Sequence, residues 1–152
     1  MKKLFLLVCV IFCGIFQSYS QNVAIQDFIQ ILNDAQNAFD SGDYHSAIQW
    51  YEKSSKIIEN EYGDDHPSFA TGLSLIAACY REMKEYKHAI KLYEQALEII
   101  KNVYGIYNLD YVILLEDIAM CYKYEGDYKH GERLTNQAME IRFNPKFKSD
   151  FI

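Results

Sequence analysis

The stretch that decides the fold is Tyr86-Lys87-His88-Ala89-Ile90-Lys91-Leu92-Tyr93-Glu94-Gln95-Ala96, because counterparts of it stand at equal distances on either side. Tyr44, Ala47, Ile48 and Tyr51 recur as Tyr86, Ala89, Ile90 and Tyr93, a step of 42 positions (86 − 44), and the same step leads on to Tyr128 and Ala138. A fixed period between roughly 20 and 50 residues marks a repeat architecture, in which each unit buries its apolar face against the next.

Working outward, Tyr86, Ala89, Ile90, Tyr93, Ala96, Leu97 and Ile100 form one face of a helix expected over 86–103. Before it, Asp64-Asp65-His66-Pro67 offers capping carboxylates and a proline whose missing donor costs nothing at a helix start. From there Phe69, Leu73, Ile76, Ala77 and Tyr80 make an apolar stripe ending near Met83. One step later Asn108 stands at the capping position of His66, and Tyr111, Leu115, Ile118, Ala119 and Tyr122 repeat the stripe. The returning helix, Tyr128 to about Arg142, carries Gly131 for the alanine and Thr135 for the tyrosine, a weakening expected of a terminal unit. Upstream, Phe28, Ile31, Leu32, Ala35, Ala38 and Phe39 give a helix over 22–40 that stops at Ser41-Gly42, followed by a second over 44–61. The short links make antiparallel neighbours. The units are therefore expected at about 25–62, 66–104 and 108–142, within a domain of 21–142, with a tail at 143–152.

The chain has 152 residues, 50% of them hydrophobic, two prolines and a net charge of −6, which suits one folded domain with a sizeable core. The acidic balance argues against nucleic acid or an anionic membrane as partner. Residues 1–20 read as a secretory signal peptide: Lys2 and Lys3, an apolar run from Leu4 to Phe16, and small residues up to a cut after Ser20. That run falls short of the roughly 20 residues that span a bilayer, so no stable membrane span is expected and the mature chain is expected to be exported, periplasmic or secreted. Val8 and Phe12, before Cys9 and Cys13, are bulky where a lipoprotein signal carries a small residue. The tail holds Phe143, Phe147, Phe151 and Ile152; either it folds over the open end of the last unit, or that edge pairs with a second copy as a homo-oligomer.

These residues resemble the tetratricopeptide repeat family. In the second unit the resemblance rests on Leu73, Ile76, Ala77, Tyr80, Tyr86, Ala89, Tyr93 and Ala96; in the third, on Leu115, Ile118, Ala119, Tyr122, Gly126, Tyr128 and Ala138. The first matches at Ala35, Gly42, Tyr44, Ala47 and Tyr51, but departs from the pattern at Asp34, Ala38 and Ser54. The 42-residue period resembles the extended subtype of kinesin light chains and of secreted bacterial repeat proteins. The resemblance implies an all-α fold: a right-handed α-solenoid, or alpha-alpha superhelix, of three helix-turn-helix units whose concave face holds a protein or peptide ligand. Carried over by position, that face comprises Gln36, Phe39 and Asp40, then Thr71, Ser74, Ala78, Arg81 and Glu82, and lastly Ile113, Glu116, Met120, Lys123 and Tyr124. Ser74 and Ala78 cannot supply the contacts by which some members grip a terminal carboxylate. Arg81 and Lys123, one step apart, would either hold an acidic segment together or be solvated charges beside Glu82 and Glu125.

Cys79 and Cys121 share one repeat position, and equivalent positions on stacked helices lie about 10 Å apart, beyond the roughly 7 Å that a disulfide bridges. Buried free thiols are expected. His45, His88 and His130 lack the spacing of a metal-binding helix face, Asp64 to His66 read as a cap, and neither a phosphate loop nor a nucleophile with its base is found. The expectation is a scaffold or adaptor that is not an enzyme, with no cofactor and no metal. The alternative is the sensing or scaffolding part of a signalling or protease system whose catalytic domain lies on another chain.

Overall fold

A computed structural model describes residues 25–149, so the expected leader at 1–20, Phe151 and Ile152 lie outside the described residues. Among the described residues seven helices follow one another: α1 (25–40), α2 (Tyr44–Tyr62), α3 (Pro67–Glu82), α4 (Tyr86–Tyr104), α5 (Leu109–Tyr124), α6 (Tyr128–Phe143) and the short α7 (Pro145–Ser149). They form a right-handed α-solenoid of three helix-turn-helix units. The long helices α2 and α4 have 19 residues each, and α3 and α5 have 16, with starts displaced by one repeat step. No strand occurs among the described residues.

Each helix start has a chemical cause. The Asn108 carboxamide accepts from the amides of Asp110 and Tyr111, and Asp43 and Asp127 cap α2 and α6 through the amides of Ser46 and His130. At α3 the cap differs from the expected carboxylates. The His66 ring accepts from the Ser68 amide at 3.1 Å, with Pro67 in the first turn. An imidazole nitrogen with a free lone pair does the work of an asparagine oxygen here, which is why His66 and Asn108 share a position.

Inside each unit the first helix ends on a left-handed residue: Gly42 (φ 82), Lys84 (φ 64) and Gly126 (φ 90). The following amide in each case reaches back five residues, as in Asp43 N to Ala38 O at 2.9 Å and Glu85 N to Tyr80 O at 2.8 Å. This is the reversal that frees the last helical carbonyls from being left unpaired. The middle unit accomplishes it with a lysine, whose Cβ makes the left-handed region unfavourable, and with Glu85, which makes no side-chain cap.

Helices pack through small residues at the crossing points. Ala35, Ala77 and Ala119 on the first helices, and Ala47 and Ala89 on the second, are all buried. Around them lie Ile48, Tyr51, Ile76, Ile90, Tyr93, Leu115 and Ile118. Gly131 continues the series for a steric reason. A Cβ there would stand 2.5 Å from Lys123 Cγ and 2.8 Å from Ala119 O, so the glycine admits the Lys123 stem as well as weakening α6. Ser54, where alanine was expected, is buried and satisfied by donating to Tyr51 O at 2.8 Å. At the far end Phe147 packs on the core, and Lys146 Nζ lies 5.4 Å from the centre of the Tyr107 ring, so α7 covers part of the last unit.

Replacing Lys84 by glycine relieves the strained left-handed turn. The Lys84→Gly protein should gain about 1 kcal/mol of stability in urea titration, whereas Gly126→Ala should lose a similar amount.

Candidate binding surface

The first helices of the three units, α1, α3 and α5, carry the residues expected on the concave face, and the structure gives them unequal roles. On α1, Gln36 Nε2 donates to Asp40 Oδ1 at 2.8 Å, while Gln36 Oε1 accepts from the Tyr51 hydroxyl at 3.4 Å. Phe39 is half-buried edge-on against Tyr44, so its ring serves packing. On α3 the hydroxyls turn back to their own helix, Thr71 to Pro67 O at 3.2 Å and Ser74 to Ala70 O at 2.8 Å. Ala78, one turn after Ser74, is half-buried. This stretch offers little polar chemistry to a visitor.

The two cations expected to act together are separately engaged. Arg81 Nη1 meets Asp117 Oδ1 at 2.8 Å, and its Nη2 meets Glu82 Oε1 at 3.2 Å. Lys123 Nζ reaches the Thr135 hydroxyl at 2.8 Å, and no bond to Glu125 is formed. Arg81 and Asp117 have side chains 22% and 24% exposed, so the pair sits in the floor of the surface. Burial by itself raises the Asp117 carboxyl above the usual carboxylate range, and Arg81 works against that rise. Burial would lower the Arg81 guanidinium, but nearby Tyr93, Asp117 and Glu82 outweigh it and hold it above its ordinary value. Tyr93 beneath them is pushed well up, first by burial and then by the Asp117 charge.

Sequence reasoning missed Asp117. Its signal was a break in register: one step upstream stands Leu75, so a carboxylate replaces an apolar residue there. Arg142 was missed as well. It grips Glu116 through two bonds, Nε to Oε1 at 3.1 Å and Nη2 to Oε2 at 2.8 Å, tying α6 to α5 and removing Glu116 as a free acid.

Beside exposed Gln36, Asp40, Thr71 and Glu82, this face leaves apolar side chains open. Ile113, Met120 and Tyr124 on α5 are 42%, 39% and 60% exposed and share one stripe of the helix. The Tyr124 ring stacks on Tyr86 with centroids 5.5 Å apart. The corresponding positions are Thr71, Ala78 and Glu82 on α3 and Ile29, Gln36 and Asp40 on α1, so among these units only the third carries all three as apolar residues.

Groups with other chemistry lie apart from this surface. Cys79 and Cys121 are free and buried, and burial pushes both thiols up to about 11. The His88 and His130 rings bond Glu85 and Asp127 at 2.9 and 2.6 Å and lie against Tyr80 and Tyr122. No group of three or more potential metal ligands gathers among the described residues, and no described helix is long and apolar enough to cross a membrane.

Stacked two-helix units with small residues at the crossings and a first-helix face left open define a helical repeat protein. The chain belongs to the tetratricopeptide repeat family, matching it over residues 27–102 and again over 68–142. It is similar to the TPR domain of Arabidopsis FLU (16% identity, 76% of this chain and 93% of that one, TM-score 0.64). It is also similar to the N-terminal domain of C. elegans stress-induced protein-1 (18% identity, 82% and 91%, TM-score 0.61). A third likeness is to nearly identical TPR-like repeats from Podosopora anserina assigned to kinesin light chain (17% identity, TM-score 0.66), covering 80% of this chain and 60% of that one. At these identities the likeness is one of fold. No curated protein matches the chain.

A double-mutant cycle on Arg81→Ala and Asp117→Ala should give a coupling of about 1 kcal/mol in urea unfolding, since the pair is only partly shielded from solvent. Additive losses would show that the contact contributes nothing.

Proposed function

We propose that this chain is a non-catalytic scaffold that holds a protein or peptide segment on its first-helix face, with the third unit as the main contact. Domains of the tetratricopeptide repeat family generally mediate protein–protein interaction, and the observation carrying the present reading is the open stripe of Ile113, Met120 and Tyr124. Apolar side chains left exposed together on a folded surface favour an apolar visitor. Because Arg81 already meets Asp117 and Glu82, and Lys123 already meets Thr135, the segment held is led by apolar residues rather than by acidic ones. The equal spacing of α2 and α4, and of α3 and α5, supports kinship with the extended, kinesin-light-chain-like subtype. Lys2, Lys3 and the apolar run after them support export with cleavage near Ser20.

The test is affinity capture from the exported fraction with wild-type protein and with Met120→Glu/Tyr124→Glu, both checked for folding by circular dichroism. A partner retained by the wild type should be lost from the double variant, while Arg81→Glu/Lys123→Glu should affect it less. The reading fails if the double variant retains every partner, and an acidic segment is favoured if only the charge reversal releases it.

A further inference from the structure

The side of α3 turned away from Thr71 and Ala78 has a feature that the third unit lacks. Phe69, Leu73, Ile76 and Tyr80 floor an open groove of about 430 Å³, walled by α2 through Glu52 and Ser55 and by α4 through Lys91. One repeat on, the same floor is more closed: Tyr111 and Leu115 are buried, whereas Phe69 and Leu73 are only half-buried, and Ile76 and Ile118 are buried in both. Positions 55 and 72 differ between the two units. Leu97, one step from Ser55, packs on the cluster that contains Tyr111 and Leu115. Leu114, one step from Gly72, is buried in the same cluster, while a Cβ on Gly72 would collide with Ser55 Oγ.

The substitution of two leucine positions by serine and glycine is doubly unfavourable in the free chain. It leaves apolar floor exposed to water, and it buries a hydroxyl: Ser55 is 5% exposed and its Oγ has no hydrogen-bond partner. The walls also differ in charge, because Lys56 on the α2 wall is paired with Glu59 at 2.9 Å and leaves Glu52 as its uncompensated charge. Glu52 on α2 and Lys91 on α4 make no ion pair among the described residues. The floor from Phe69 to Tyr80 runs three turns, roughly 16 Å, along α3.

An open, three-turn apolar floor between an acidic and a basic wall matches one shape. The geometry points to docking of an amphipathic helix from a partner protein: leucine-class side chains enter over Phe69 and Leu73, a basic flank faces Glu52 and an acidic flank faces Lys91. A compact apolar molecule would leave the two wall charges unused. This site lies on the opposite side of α3 from the concave surface and stands independently of it.

A fluorescein-labelled synthetic 14-residue helical peptide serves as probe, with leucines along one face, lysines on one flank and glutamates on the other. Anisotropy titration against the full chain should show saturable binding, weakened about tenfold or more by Ser55→Leu, whose larger side chain must turn from the tight contact with Gly72 into the groove and whose fold is checked by circular dichroism. Glu52→Lys/Lys91→Glu, exposed positions that do not threaten folding, should weaken it similarly, and a peptide with exchanged flanks should bind that variant better than the wild type. Met120→Glu/Tyr124→Glu should leave binding unchanged, so failure here is distinct from failure at the concave face. The inference is overturned if a leucine-to-serine peptide binds equally well, or if both groove variants bind as the wild type does. It is also overturned if the groove takes up only anilinonaphthalene sulfonate, or if light scattering shows a dimer that Ser55→Leu abolishes.

Discussion

The structure depends on how closely its helices approach, and that distance is set by side chains no larger than a methyl group. Ala35, Ala77 and Ala119 on one set of helices, and Ala47, Ala89 and Gly131 on the other, are buried at every repeat. With small residues at the crossings, larger neighbours such as Tyr51, Tyr93, Leu115 and Ile118 can interlock at interior density. Each unit leaves one side unfilled, and its neighbour supplies the missing contacts. Hence the two core clusters both extend to Tyr80 and Leu92, partly buried residues of the middle unit.

That close approach also decides which polar groups reach the open face. The repeat position of Tyr51, Tyr93 and Thr135 lies on the second helix. Tyr51 bonds Gln36, and Thr135 bonds Lys123 across the gap that Gly131 leaves. Between them Arg81 and Asp117 join α3 to α5 above Tyr93. The polar residues of the face are thus largely satisfied by one another. Ile113, Met120 and Tyr124 of α5 stay exposed beside them, Tyr124 with its ring stacked on Tyr86.

Much of the architecture was legible because helical repeats write their contacts locally. The stripe from Phe69 to Tyr80 and its copy from Tyr111 to Tyr122 place α3 and α5 to within a residue or so, and Tyr44, Tyr86 and Tyr128 mark the starts of α2, α4 and α6. The face was less legible, because its chemistry lies in pairs that reach between units. Arg81 finds Asp117, and Glu116 finds Arg142, at sequence separations that follow no repeat step. Gly131 illustrates the same limit: by propensity alone it is a loss, and only the Lys123 stem beside it gives it a packing role. The groove beside Ser55 was hidden for a related reason, since it arises from what two positions lack relative to Leu97 and Leu114.

The most direct measurement is thermal unfolding of Ala77→Trp followed by circular dichroism. Ala77 is fully buried at the crossing within the middle unit, so an indole there must force α3 and α4 apart. Overpacking of this kind typically costs about 1–3 kcal/mol, and more where the backbone cannot yield. A clear fall in melting temperature is expected, with a helical spectrum retained at low temperature. A melting curve that superimposes on the wild type would contradict it.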